Sequence, residues 1–189
     1  MTTAAPGPAA LEHVRTTIVP ELLAAFPGVA EELPTPFEIP QVRVSPEAIR
    51  GVAEWLKARG FNMLLDLGGV DYHPHRQGED RFEVVYHFFA LPQLWKLRVR
   101  VPVGGQKPEV PSLSDLWPNA NPAEREVWDQ FGIRFRGHPN LTRILNPDDW
   151  EGHPLRKDYP LRGPRAMGPY LPADLNRFHP FKDEPPDEG

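Results

Sequence analysis

The sequence predicts an α+β fold: an antiparallel sheet with helices packed on one face, followed by a proline-rich extended C-terminal arm. Three observations carry this. Trp95, Leu97, Val99, Val101 and Val103 alternate with Lys96, Arg98 and Arg100, the period-2 signature of a strand with one buried and one wet face. Ile49, Val52, Ala53 and Leu56 recur at helical spacing, so one amphipathic helix is available to cover the apolar side. The chain holds 25 prolines in 189 residues, against a usual ~5%, and they crowd toward the C-terminus.

Taken in order, residues 1–9 are small and rich in helix breakers, and are expected to be disordered. Between Ala10 and Phe26, Leu11, Val14, Ile18 and Leu22 keep helical spacing with Pro20 interrupting, which predicts one or two short helical turns. Phe37 to Val44 reads as a short strand, placed at a sheet edge because Pro40 has no N–H to give a ladder. Ser45-Pro46-Glu47 supplies a capping hydroxyl and a first-turn proline for the helix at 46–59, and Gly60 stops it.

Three strands follow. Phe61, Met63, Leu65 and Leu67 alternate until Gly68-Gly69 breaks the run, and Phe82, Val84, Tyr86 and Phe88 alternate again. Leu91-Pro92-Gln93 is a hairpin turn into the 95–103 strand. Gly104 to Pro111 reads as a loop. Asn121-Pro122-Ala123-Glu124 then signals a helix start, with Asn121 and Glu124 as capping residues. Val127, Trp128 and Phe131 form that helix's apolar side, Arg125 and Asp129 can pair at i, i+4, and Gly132 ends it. The division expected is a disordered 1–9, a folded domain at 10–136 and an extended arm at 137–189. With too few apolar residues to offset its ordering entropy, the arm is expected to order only on a partner.

Composition narrows the function. The net charge is −5 and the pI about 5.8, which argues against a nucleic-acid footprint. Cysteine is absent, excluding thiolate chemistry, disulfides and Cys-ligated clusters within this chain. No apolar run approaches the ~20 residues of a membrane span, and no signal-peptide pattern opens the sequence. Phosphate-loop, dinucleotide and nucleophile-elbow motifs are missing, so no cofactor or catalytic residue is assigned.

Three clusters remain. Asp71, His73 and His75 have the residue types of a metal site, against the plainer reading of a solvated loop. Glu124, Glu126 and Asp129 share a short helix, where carboxylates are more often structural or interfacial than catalytic. His153-Pro154-Leu155-Arg156-Lys157-Asp158-Tyr159 reads best as a docking arm, with Leu155 and Tyr159 as anchors and the charges setting register.

The stretch from Glu124 through Arg143 to Leu145 resembles the signature of the C subunit of NADH–quinone oxidoreductase, respiratory complex I. The likeness continues through Pro147 to Pro160 and reaches back through Arg81–His87 and Ser112–Trp117, covering roughly residues 60 to 162. It implies a peripheral-arm protein without flavin, cluster or metal, on the cytoplasmic side of the cell membrane with only indirect membrane contact. FMN and iron–sulfur clusters are then expected on partner subunits, with the D subunit and the cluster-bearing subunits as neighbours. NADH and quinone are substrates of the whole proton-translocating assembly. Arg125, Glu126 and Asp129 are expected to form ion pairs within the fold or across to the D subunit, beside Phe131. Gly132 and Gly137 are expected at tight turns. His138, Pro139, Arg143, His153, Pro154, Arg156, Lys157 and Asp158 are expected to fix the arm on its neighbours. Alternatives are the equivalent module of a membrane-bound hydrogenase complex, a free-standing metal-dependent hydrolase built on Asp71, His73 and His75, and a binding module outside any oxidoreductase.

Overall fold

A computed structural model describes residues 8–35, 39–76 and 81–160. Two halves of one helical run open the domain, α1 (Pro8–His13) and α2 (Val19–Ala25), joined by a π-helical turn at Val14–Ile18. α1 begins within the stretch expected to be disordered. The π turn sits where Pro20 demands it: a proline cannot donate to the carbonyl four residues back and its ring crowds that carbonyl, so the wider turn carries the helix past it. Val14, Ile18, Val19 and Leu22 all face the core.

The main sheet has the order β1-β2-β5-β4-β3. Its members are β1 (Ala30–Leu33), β2 (Gln41–Val44), β3 (Met63–Asp71), β4 (Phe82–Ala90) and β5 (Trp95–Val103). The sheet is mixed rather than wholly antiparallel, because β2 runs parallel to β5 while the other pairs are antiparallel. β2 is also interior, with β1 outside it. Pro40 tolerates this because it precedes the strand, where its carbonyl still accepts the Arg98 N–H at 3.0 Å. The start of the expected strand, at Phe37, lies outside the described residues.

α3 (Ile49–Ala58) follows a 3₁₀ turn at Pro46–Ala48. Ser45 closes that turn through its carbonyl, which accepts the Ala48 N–H at 3.0 Å, while its hydroxyl makes no cap. In β3 the pairing slips between Leu64 and Asp66. The bulged Leu65 is 46% exposed and Leu64 is buried, so the expected face of Met63, Leu65 and Leu67 becomes Leu64 and Leu67. Gly68 and Gly69 do not break the strand. At Gly69 the lack of a side chain lets the Phe131 ring pack against the backbone, where a Cβ would stand 2.7 Å from it.

The expected loop at 104–111 contains β6 (Glu109–Pro111), paired in parallel with β7 (Arg134–Arg136). Between them lies α4 (Ala120–Phe131), closed by Gly132 at φ 74°. Leu64, Leu67, Val84, Tyr86, Phe88, Leu97 and Val99 pack in one cluster with apolar residues of α2, α3 and α4. Each such buried side chain contributes about 1.5–3 kcal/mol. The helices therefore cover one face of the sheet, as the sequence predicts.

The expected arm behaves differently from an extended tail as far as it is described. The first compact unit of the chain runs to Tyr159, and residues 138–159 bond to α4 and to the end of β3. The remainder, 161–189, lies outside the described residues.

Candidate functional site

Asp129, Phe131, Gly132, Arg143, His153 and Arg156, singled out from sequence, gather around the C-terminal end of α4. A helix leaves its last four carbonyls without intrahelical donors, and here the C-cap glycine and the returning chain supply them. The Trp128 carbonyl accepts the Gly132 N–H at 2.8 Å, and that of Asp129 accepts His153 Nδ1 at 2.9 Å. The Gln130 carbonyl accepts the Leu155 N–H at 3.0 Å, and that of Phe131 accepts Arg156 Nε at 2.6 Å. Arg143 and Arg156 also place positive charge where the helix dipole is negative. Gly132 is required twice: its φ lies in the left-handed region, and a Cβ would strike the Arg156 guanidinium and the His153 ring.

The Asp129 side chain organises the same segment. Its carboxylate accepts N–H groups from Ile144, Leu145 and Asn146 at 3.2, 2.9 and 2.9 Å, the Asn146 amide at 3.0 Å, and Arg143 at 2.5 Å. Burial alone would raise its pKa, but Asn146, Arg143 and Leu145 outweigh that and hold it well below the usual range. Arg143 also donates to the Trp150 and Gly152 carbonyls. The expected Arg125–Asp129 pair does not form. Arg125 instead donates to the carbonyls of Thr142 and Arg143, at 3.1 and 2.7 Å. Glu126 is exposed and shares no site with Asp129.

A second anchor holds the far end of the segment. Asp71 pairs with Arg81 at 2.8 Å and accepts the N–H groups of His73 and Lys157 at 3.0 and 2.9 Å. Burial pushes its pKa up, yet Arg81 and the two N–H donors bring it down to about 2. Arg81 also bridges to Asp158 at 2.7 Å. With both oxygens engaged in this way, Asp71 does not join His73 and His75 as a ligand set, and no cluster of three such ligands occurs among the described residues.

Glu124 differs from both. Asn119, not Asn121, precedes α4, so Glu124 lies too far along the helix to cap it. Its carboxyl turns inward to the Ser112 hydroxyl at 2.6 Å and the Leu113 N–H at 2.7 Å. Burial dominates and raises its pKa to about 7. His138 stands 4.0 Å away. Its Nδ1 accepts the Asn140 N–H at 3.1 Å, which leaves Nε2 to donate to the Asn121 carbonyl at 3.2 Å. Gly137 makes its turn at φ 83°. Pro139, Lys157 and Asp158 are exposed, while Pro154 is half-buried. Spacing does not single out the Asp–Arg pairing at 71 and 81, or Ser112 beside Glu124, because each joins segments distant in sequence.

These groups cap, pair and clamp. None presents a free nucleophile, and the arrangement is one that fixes a segment in place. Residues 42–165 match the family model of the respiratory-chain NADH dehydrogenase 30 Kd subunit. The chain belongs to this family. Among curated relatives, the NADH-quinone oxidoreductase C subunit of Roseiflexus sp. is 52% identical over 146 residues, covering 76% of this chain and 82% of that one. The C subunit of Moorella thermoacetica is 44% identical over 145 residues, covering 76% and 94%. A fused C/D subunit of Proteus mirabilis is 41% identical over 167 residues, which is 85% of this chain but 28% of that protein. Among solved structures, the trypsin-resistant fragment (1-134) of Nqo5 aligns with TM-score 0.59 at 35% identity, covering 66% of this chain and 96% of the fragment. A chain of the membrane-bound sulfane sulfur reductase, an archaeal respiratory membrane complex, aligns with TM-score 0.65 at 28% identity, covering 76% and 84%.

Proposed function

We infer that this chain is the C subunit of an NADH–quinone oxidoreductase, part of an oxidoreductase but not itself the catalytic centre. The observation that carries this is the family match over 42–165, which takes in the domain from β2 onward together with the clamped segment. In this reading FMN and the iron–sulfur clusters reside on partner subunits, consistent with a chain that has no cysteine. Electrons pass from NADH to quinone on those partners, with proton translocation coupled to them.

The neighbour is the D subunit. Relatives in which C and D are one polypeptide support this, since fusion requires both parts to lie within linker reach. The Asp129 and Asp71 anchors hold 143–158 so that Ile144, Leu145 and Leu155, 40%, 62% and 51% exposed, are offered to that neighbour. Glu126, Pro139 and Lys157, all exposed, are assigned to the same contact. No helix among the described residues is long and apolar enough to cross a membrane, and the protein is assigned to the cytoplasmic side through its partners.

The test is recovery of the tagged chain from its own cells in mild detergent, with mass spectrometry of what accompanies it. The D subunit, cluster-bearing subunits and an NADH-oxidising subunit are expected together. Similarity to the sulfane sulfur reductase chain defines the second reading, a related respiratory complex, which recovery without an NADH-oxidising subunit would favour. Recovery of the chain alone from intact membranes would overturn both.

A further inference from the structure

The helices cover one face of the five-stranded sheet, and the other face carries a pattern that solvent exposure does not explain. Register places Gln41, Arg98, His87 and Asp66 in one row across it, and Arg43, Arg100, Val85 and Gly68 in the next. Most charged side chains there already have a partner. Arg43 pairs with Glu31 at 3.1 Å, Arg100 bonds Glu83 and the Tyr72 hydroxyl, Arg76 stands 3.6 Å from Glu83, and Lys96 lies over the Phe89 ring.

Arg98 has neither a carboxylate partner nor a ring contact among the described residues. Its Nε is buried without a hydrogen-bond partner, and its side chain forms no ion pair with any described residue. His87, opposite it in the ladder, cannot help: burial, then Arg98 itself, pushes the imidazole pKa down and keeps it neutral at pH 7. Asp66 uses one oxygen on the Leu67 N–H at 2.9 Å. Arg98 opens into a cavity of about 310 Å³ whose walls include Pro34, Val70, Val85, Tyr72 and Arg100. A second cavity, about 220 Å³ and bordered by Leu65 and Lys96, lies on the same face. Met63 and Leu65 beside it are 39% and 46% exposed.

We propose that this face is a second docking surface, on which an extended segment of another subunit places an Asp or Glu side chain against Arg98. A partly desolvated guanidinium gains most from a planar, bidentate carboxylate. The apolar walls and the exposed Met63 and Leu65 suit the aliphatic parts of a peptide. A phosphate backbone fits poorly, since Glu31, Asp66 and Glu83 are interleaved with the cations and leave no continuous positive field. The surface lies on the sheet side opposite the helices, so it adds to the 143–158 surface rather than extending it. This inference rests on the chain belonging to a multisubunit assembly.

The experiment incorporates a photo-crosslinking residue at Val85 of the tagged chain in its own cells, followed by isolation of the intact assembly and mass spectrometry. Crosslinks to a segment of another subunit bearing Asp or Glu within about two residues are expected. In parallel, Arg98→Gln should leave the melting temperature of the isolated chain unchanged or higher, yet lower its incorporation into the assembly about tenfold. Crosslinks to lipid, to a second copy of this chain or to nothing, or normal incorporation of Arg98→Gln, would overturn the proposal. If the chain co-purifies with the other subunits but Val85 captures none, only this surface fails. If it co-purifies with nothing, the complex assignment fails as well.

Discussion

Glu124 and Asp129 sit five residues apart on one helix, both fully buried, yet their surroundings treat charge in opposite ways. Asp129 gathers five donors from the 143–146 segment, and its negative charge is what holds that segment. Glu124 receives two, from Ser112 and Leu113, which fall short of replacing the water it has lost. The donors around Asp129 outweigh its burial and lower its pKa, whereas burial outweighs the two donors around Glu124 and raises its pKa. One end of α4 therefore needs an anion, and its middle tolerates one at a cost.

The largest effect expected breaks the favourable side of this contrast. Asp129→Ala leaves Arg143 uncompensated and three N–H groups without an acceptor, costing about 3–5 kcal/mol. Urea unfolding of the full chain measures it, and hydrogen exchange should show the 144–146 amides losing protection first. A cost below about 1 kcal/mol, the worth of a single ordinary hydrogen bond, would mean that the segment does not depend on this carboxylate.

Glu124 sharpens the contrast through pH. Its folded pKa of about 7 lies above the ordinary 4.5, so the folded state binds the proton more tightly. Its favourable contribution is complete below about pH 4.5 and is lost as pH rises through 7, amounting to about 3 kcal/mol between those limits. Asp71, with its pKa lowered to about 2, does the reverse: its contribution is present above about pH 4 and is lost as pH falls toward 2. Glu124→Gln should therefore be more stable than the parent at pH 8 and close to it at pH 5. Identical pH profiles for the two proteins would show that Glu124 does not titrate in this range.

How much of this is legible in the sequence depends on whether the determinants are local. The faces of β4 and β5, the body of α3 and the stop at Gly132 follow from spacing and from one glycine, and each appears where spacing puts it. β1, β6 and β7 have three or four residues each, and their pairings are made by chain elsewhere. The bulge at Leu65 reverses a face that alternation alone assigns wrongly. Asp129 carries a local cue, Arg125 four residues back, that points to the wrong partner, because its donors lie 14 to 17 residues onward. The low apolar content of 138–159 reads as an inability to order. In the structure its polar groups cap a helix end, a role that hydrophobicity does not register.

Gly132→Ala tests that capping more gently. The left-handed φ costs a non-glycine residue about 1–2 kcal/mol, and the new methyl must also displace His153 and Arg156. A loss of about 2–3 kcal/mol is expected, with the 153–156 amides losing exchange protection while those of β4 and β5 keep theirs. Equal loss of protection in the sheet would mean that the segment and the domain unfold as one unit.

Asp158→Ala should do least, and the reason separates two kinds of anchor within one ion-pair chain. Arg81 bonds Asp71, which is buried, and Asp158, whose side chain is 47% exposed. Removing Asp158 leaves Arg81 still neutralised by Asp71, and leaves the Lys157 N–H on the Asp71 carboxylate. Water replaces what the exposed carboxylate supplied, so the expected cost is under about 1 kcal/mol, and smaller still in high salt. Asp71→Ala, by contrast, strips Arg81 of its buried partner and frees the Lys157 N–H. If the two substitutions proved equally costly in urea unfolding, the segment would be held by the surface bridge rather than by the buried acid. The parallel drawn between Asp71 and Asp129, as anchors built from buried charge surrounded by donors, would then fail.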